Sequence, residues 1–174
     1  MNANDVVRAS FDEALATLQE FLASPTGLPA VDAFVEAAAR TLESGGKLIA
    51  CGNGGSMCDA MHFVGEGTGR FRRDHDALPA VAFSDPSQLT CIANDFGFDE
   101  VFARQVQAVG REGDLLVAIS TSGNSPNVIR AVEEARKQGI TTIGLLGKGG
   151  GKLAGMVDVS IVVPRAETSD RIQE

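Results

Sequence analysis

The sequence predicts an α/β fold: a doubly wound parallel sheet sandwiched by helices, preceded by two leading helices. Three observations carry this expectation. After Gly46, five short runs rich in Val, Ile and Leu recur at 47–51, 80–83, 115–119, 142–146 and 159–163. Several of them are apolar at every position, as strands buried on both faces are. Helix-like stretches alternate with the runs, at 57–68, 87–94, 101–109, 127–138 and 152–157, and that alternation is the pattern of a parallel sheet with helical crossovers.

The two leading helices follow from apolar residues at three- and four-residue spacing. Phe11, Ala14, Leu15, Leu18, Phe21 and Leu22 make one stripe, broken at Pro25 to Gly27. Val31, Phe34, Val35, Ala38 and Leu42 make a second, stopped by Gly45-Gly46. Such helices either close the core or form an interface between copies. With 174 residues the chain suits one domain over 1–174, a helical pair over 1–45 and an α/β core over 46–174.

The formal charge of −8 argues against a broad nucleic-acid surface. No apolar run approaches the length of a membrane span, and the first residues lack the regions of a signal peptide, so a cytoplasmic location is expected. Cys51, Cys58 and Cys91 match no zinc spacing and read as three small buried thiols.

Two loops stand out. The strand at 47–51 runs into Gly52-Asn53-Gly54-Gly55-Ser56 and then a helix. Such a loop either brings backbone N–H groups against an anion at a helix N-terminus or is an ordinary tight turn. It spells neither a dinucleotide fingerprint nor a Walker motif. The strand at 115–119 runs into Ser120-Thr121-Ser122-Gly123-Asn124-Ser125-Pro126. Ser125 and Pro126 look like a helix cap and first residue, which leaves Ser120, Thr121 and Ser122 in excess of what a cap needs. Hydroxyls and N–H groups can hold a phosphate without a lysine.

On the helix after the glycine loop, His62 and Glu66 sit one turn apart on one face. They read as metal ligands, an acid/base pair or a solvated ion pair. Gly65 and Gly67 weaken the helix there, which the close approach of another chain or a ligand would explain. Asn94-Asp95-Phe96-Gly97 reads as a turn, and Gly147-Lys148-Gly149-Gly150-Gly151 as a structural turn after a strand.

Taken in order, the strings 51–56, Asp59-Ala60-Met61-His62-Phe63, 94–97, 109–114, 120–125 and Asp170-Arg171-Ile172-Gln173-Glu174 resemble the sugar isomerase (SIS) domain family. More narrowly, they resemble its phosphoheptose isomerases, over nearly the whole chain. The resemblance implies a homotetramer with active sites between subunits and a phosphorylated seven-carbon sugar as substrate, with no nucleic-acid or membrane partner. It implies sugar-phosphate contacts from Asn53, Gly54, Gly55, Ser56, Asn94, Asp95, Ser120, Thr121, Ser122, Ser125 and Gln173, with residues 120–125 on the phosphate. Glu66 would be a catalytic acid/base, and His62, Glu66 and Gln173 would hold a zinc ion.

The implied reaction converts sedoheptulose 7-phosphate to glycero-manno-heptose 7-phosphate through an enediol, for lipopolysaccharide or a related glycan. A carboxylate suits the proton transfer between adjacent carbons. Family members continue past the Arg-Ile-Gln-Glu motif into a helix bearing a histidine, the second acid/base and fourth zinc ligand. The sequence ends at Glu174, so that helix is expected to be absent, and His75, in a charged segment, does not match it. The alternative function is a non-catalytic SIS adaptor that binds a replication-initiator protein. A sugar-phosphate-sensing regulator would carry a DNA-binding module that this length does not accommodate.

Overall fold

The computed structural model describes residues 2–164. Helix α1 (Ala3–Ala23) starts at Asn2, whose side chain accepts the Asp5 N–H while Asp5 accepts the Asn2 N–H in return. Helix α2 (Gly27–Glu43) ends just ahead of Gly45-Gly46. The core then alternates: β1 (Leu48–Gly52), α3 (Gly55–Thr68), β2 (Ala80–Ala82), α4 (Pro86–Phe96), α5 (Ala103–Val109), β3 (Leu115–Ser120), α6 (Pro126–Lys137), β4 (Thr141–Leu146) and β5 (Val159–Val162).

The strands form one parallel sheet in the order β2-β1-β3-β4-β5. All of β1 and β3 is buried, which is why those two runs carry no polar alternation. On one face α2 and α3 pack through Ala37, Phe34, Ala60 and Phe63 onto Ala50, Val117 and Ile143. On the other, α4, α5 and α6 pack through Ile92, Val106, Val128 and Val132 onto Ile49, Leu116 and Ala118. The expected sandwich is therefore present, with helices on both faces.

The amino ends of β1 and β3 are tied together by one carboxylate. Asp114 is buried, accepts the backbone N–H groups of Lys47 and Arg111, and pairs with the Lys47 ammonium. A buried carboxylate with three donors is satisfied rather than reactive. The carboxyl ends of the same two strands are left to the loops.

Four expectations need correction. The stretch at 152–157 forms only a 3-10 turn, Leu153–Gly155, too short for a crossover helix. Asn94, Asp95 and Phe96 are the last turn of α4 rather than a free turn. Asp85 caps that helix by accepting the Gln88 N–H, Pro86 opens it, and Gly97, at φ 90°, ends it. The segment at 101–109 becomes helical only from Ala103, because a 3-10 turn over Phe98–Glu100 first buries Val101 and Phe102. Of the cysteines, only Cys51 is buried; Cys58 and Cys91 are exposed, since they lie on outward faces of α3 and α4.

Helix α1 keeps its amphipathic stripe but buries little of it. Thr17 is its one buried residue, and Phe11, Leu15, Leu18 and Leu22 are all exposed.

Candidate active site

Strands β1 and β3 are direct neighbours, with Gly52 in register with Ile119. β2 lies on one side of this pair and β4 on the other. The winding direction therefore reverses between β1 and β3, and ligands of open α/β sheets bind beyond the carboxyl ends of strands at such a point. The glycine loop leaves β1 and the serine loop leaves β3 at this position, one residue apart in register.

The serine loop is fixed from within. The Gly123 N–H donates to the Ser120 carbonyl at 3.1 Å, the Asn124 N–H to the Ser122 hydroxyl at 3.2 Å, and the Asn124 amide to the Ser122 carbonyl at 2.8 Å. Ser125 stands at the N-cap position of α6 and Pro126 at its first residue, as the sequence predicts, but the Ser125 hydroxyl makes no capping bond. It lies instead 3.2 Å from the hydroxyl of buried Ser120. Two hydroxyls thus meet at the N-terminus of a 12-residue helix, where the helix dipole favours an anion.

A second segment holds this loop from outside, and sequence reasoning missed it. Residues 147–153 donate three backbone N–H groups: Gly147 to the Thr121 carbonyl at 3.1 Å, Leu153 to the Gly123 carbonyl at 3.0 Å, and Lys152 to the Asn124 side-chain oxygen at 3.1 Å. The approach is close enough that a Cβ on Gly123, at φ 62°, would collide with the Gly150 carbonyl, and one on Gly151 with the Ser122 carbonyl. The glycine run at 147–151 is structural, as expected, and what it shapes is the serine loop.

The glycine loop begins α3: the Ser56 N–H donates to the Asn53 carbonyl at 3.1 Å and the Met57 N–H to the Gly54 carbonyl at 3.0 Å. Ser56 is buried beneath it. The Asn53 side chain is engaged with Asn127 on α6 through two hydrogen bonds, 2.9 and 2.8 Å. Cys51 sits just before this loop, and burial pushes its thiol up to about 12, so it supplies no thiolate nucleophile.

His62 and Glu66 share one face of α3 as expected, with Nε2 and Oε1 3.0 Å apart. Their side chains are 79% and 37% exposed. Both line a cavity of 780 Å³ over the α3 side of the sheet, walled by Phe63, Ile119, Leu145 and Ile161. His75, from the charged segment, lines the same cavity. Glu66 is ten residues past Ser56, so helix rise sets it about 15 Å along α3 from the glycine loop of its own chain. Gly65 beside it has open space where a Cβ would stand, so no contact within the described residues requires a glycine there.

The structure thus brings Asn53, Gly54, Gly55, Ser56, Ser120, Thr121, Ser122 and Ser125 to one end of the sheet, with His62 and Glu66 further along α3. Asn94 and Asp95 stand apart, exposed at the end of α4, with local hydrogen bonds to each other and to Cys91. Gln173 lies outside the described residues.

Known proteins share this sequence pattern and fold. The SIS domain family model matches residues 11–147. The phosphoheptose isomerase of Edwardsiella ictaluri is 53% identical over 98% of this chain and 88% of its own length. That of Sodalis glossinidius is 52% identical over the same shares. Among solved structures, the phosphoheptose isomerase of Neisseria gonorrhoeae superposes with a TM-score of 0.90 at 45% identity, over 99% of this chain and 91% of that one. The structure of a phosphoheptose isomerase from Francisella tularensis gives 0.92 at 36% identity, over the same shares. Sequence similarity of this extent and a shared fold lead to one conclusion: the chain belongs to the SIS domain family, in its phosphoheptose isomerase branch.

Proposed function

We propose that the chain is an aldose–ketose isomerase that converts D-sedoheptulose 7-phosphate to D-glycero-D-manno-heptose 7-phosphate, for the heptose of lipopolysaccharide or a related surface glycan. The observation that carries this reading is the pair of loops at the carboxyl ends of adjacent strands, in a chain 53% identical to a phosphoheptose isomerase. The serine loop takes the phosphate through the Ser120, Thr121, Ser122 and Ser125 hydroxyls and the α6 N-terminus. Gly54, Gly55 and Ser56 line the sugar beside it.

Glu66 is the acid/base. Its carboxylate takes the proton from the carbon next to the ketose carbonyl, leaving an enediol, and returns it to the neighbouring carbon, while a proton passes between the two oxygens. His62, 3.0 Å away, donates to this carboxylate when neutral with Nε2 protonated and so fixes its orientation. An imidazole and a carboxylate converging from one helix face are donors of the kind zinc takes, so His62 and Glu66, with Gln173, are the residues that would hold it. Zinc bound there would polarise the substrate carbonyl.

The protein works as a homotetramer with its sites between subunits, in the cytoplasm. Two observations support shared sites: Glu66 is well removed along α3 from its own glycine loop, and Phe11, Leu15, Leu18 and Leu22 of the α1 stripe are exposed. No helix among the described residues is long and apolar enough to cross a membrane. The adaptor alternative finds no support among the relatives, which are isomerases by name.

The test is direct conversion of sedoheptulose 7-phosphate by this chain, followed as appearance of the aldose phosphate. Product formation is expected; no turnover and no binding by the wild-type chain would overturn the assignment.

A further inference from the structure

We infer that Asn127 is a positioning residue for substrate binding: it clasps the glycine loop to the serine loop through Asn53, so that the two loops form one preset cradle. This rests on the isomerase reading, since the cradle is the sugar-phosphate site. Asn127 is 1% exposed and is the second residue of α6, directly after the serine loop. Its amide donates to Asn53 Oδ1 at 2.8 Å and its oxygen accepts from Asn53 Nδ2 at 2.9 Å. That oxygen also accepts the Val128 N–H at 3.0 Å. The pair spans 74 positions of sequence and joins the ends of the two strands that carry the ligand loops.

A buried amide with donor and acceptor both engaged is held in one orientation, because a flip would set like groups against each other. Asn53 is held with it. The glycine loop has backbone freedom to lose on binding, and a loop already fixed loses less. The Asn53 side chain therefore acts here by holding the loop in place, while the backbone around Gly54 and Gly55 faces the ligand end of the sheet.

The test compares Asn53→Asp with Asn53→Ala. A protonated carboxyl at position 53 reproduces both hydrogen bonds, its O–H donating to the Asn127 oxygen and its carbonyl accepting from the Asn127 amide. The ionised form has no donor. Affinity for sedoheptulose 7-phosphate is measured by calorimetry between about pH 4.5 and 8, each variant being divided by wild type so that the phosphate's own ionisation cancels. N53A is expected to bind roughly tenfold more weakly at every pH, with KM raised and kcat nearly unchanged. N53D is expected to come nearest to wild type at the acid end, where the largest share of its carboxyl is protonated, and to lose affinity as pH rises.

In an N127A background the difference in pH response between N53D and N53A should vanish. If it persists, direct repulsion of phosphate by the new carboxylate explains it and the clasp is wrong. Wild-type-like affinity of N53A also overturns the clasp. If N127A does not fold, N127L, of similar volume and without an amide, serves as the background instead. A wild-type chain that neither binds nor converts the sugar phosphate would instead overturn the isomerase reading itself.

Discussion

Glu66 Oε1 lies 3.0 Å from His62 Nε2, one turn apart on the same face of α3, and both side chains line the 780 Å³ cavity over the sheet. Replacing the carboxylate by an amide keeps the shape and removes the base. Glu66→Gln is therefore expected to lower kcat by about 10²–10⁴ while sugar-phosphate affinity is retained, as read by steady-state kinetics beside calorimetry. Full turnover in the variant would take Glu66 out of the mechanism.

Ser125 separates a structural from a ligand role. A serine N-cap that bonds the helix contributes about 1 kcal/mol, but the Ser125 hydroxyl makes no such bond. Ser125→Ala should leave the melting temperature nearly unmoved and raise KM for the phosphorylated sugar several-fold. A large fall in stability with unchanged KM would show that the hydroxyl serves the helix.

Gly123 is fixed by backbone on both sides. Its φ of 62° costs a side-chain-bearing residue about 1–2 kcal/mol, and a Cβ there would collide with the Gly150 carbonyl. Gly123→Ala is expected to destabilise the chain by at least about 2 kcal/mol and to weaken phosphate binding, measured by thermal unfolding and KM together. Gly149→Ala makes a control: it shares a positive φ but has open space for its Cβ, so strain without collision should leave KM in place.

Asp85 gives a pH prediction. The Gln88 N–H, then the Ser87 side chain, holds its carboxyl below the ordinary 3.8. A depressed folded value means its capping stability is present above 3.8 and is lost as pH falls through the lower folded value. Amide exchange in the first turn of α4 should therefore quicken in strong acid. Asn caps as well and does not titrate, so in Asp85→Asn the acid-induced change should disappear.

Much of the fold is legible because β1 and β3, buried on both faces, read as unbroken apolar runs, and three further short runs alternate with helix-like stretches. The two candidate loops are legible for the opposite reason: glycines crowd one, and Ser120 to Ser122 give the other more hydroxyls than a cap uses. What was hidden is the scaffolding around them. Gly147, Gly150 and Lys152 act on the serine loop through backbone atoms, which leave no side-chain signature, across 26 or more positions of sequence in the case of Gly147 and Thr121. Asn127 looks like any polar residue in a first helical turn until Asn53 is beside it. The 152–157 stretch misleads because its apolar residues serve a buried turn, with Leu153 wholly enclosed.

Every hydrogen bond described above that shapes the serine loop runs between amides, carbonyls and hydroxyls, and none uses a group that gains or loses a proton near neutrality. These contacts are electrically silent. Between pH 5 and 9 these contacts keep their form, while a phosphate monoester ligand would itself ionise near pH ~6. A pH–rate profile of this protein, once corrected for that ionisation, is expected to read the chemistry on α3 with the serine loop as a constant background.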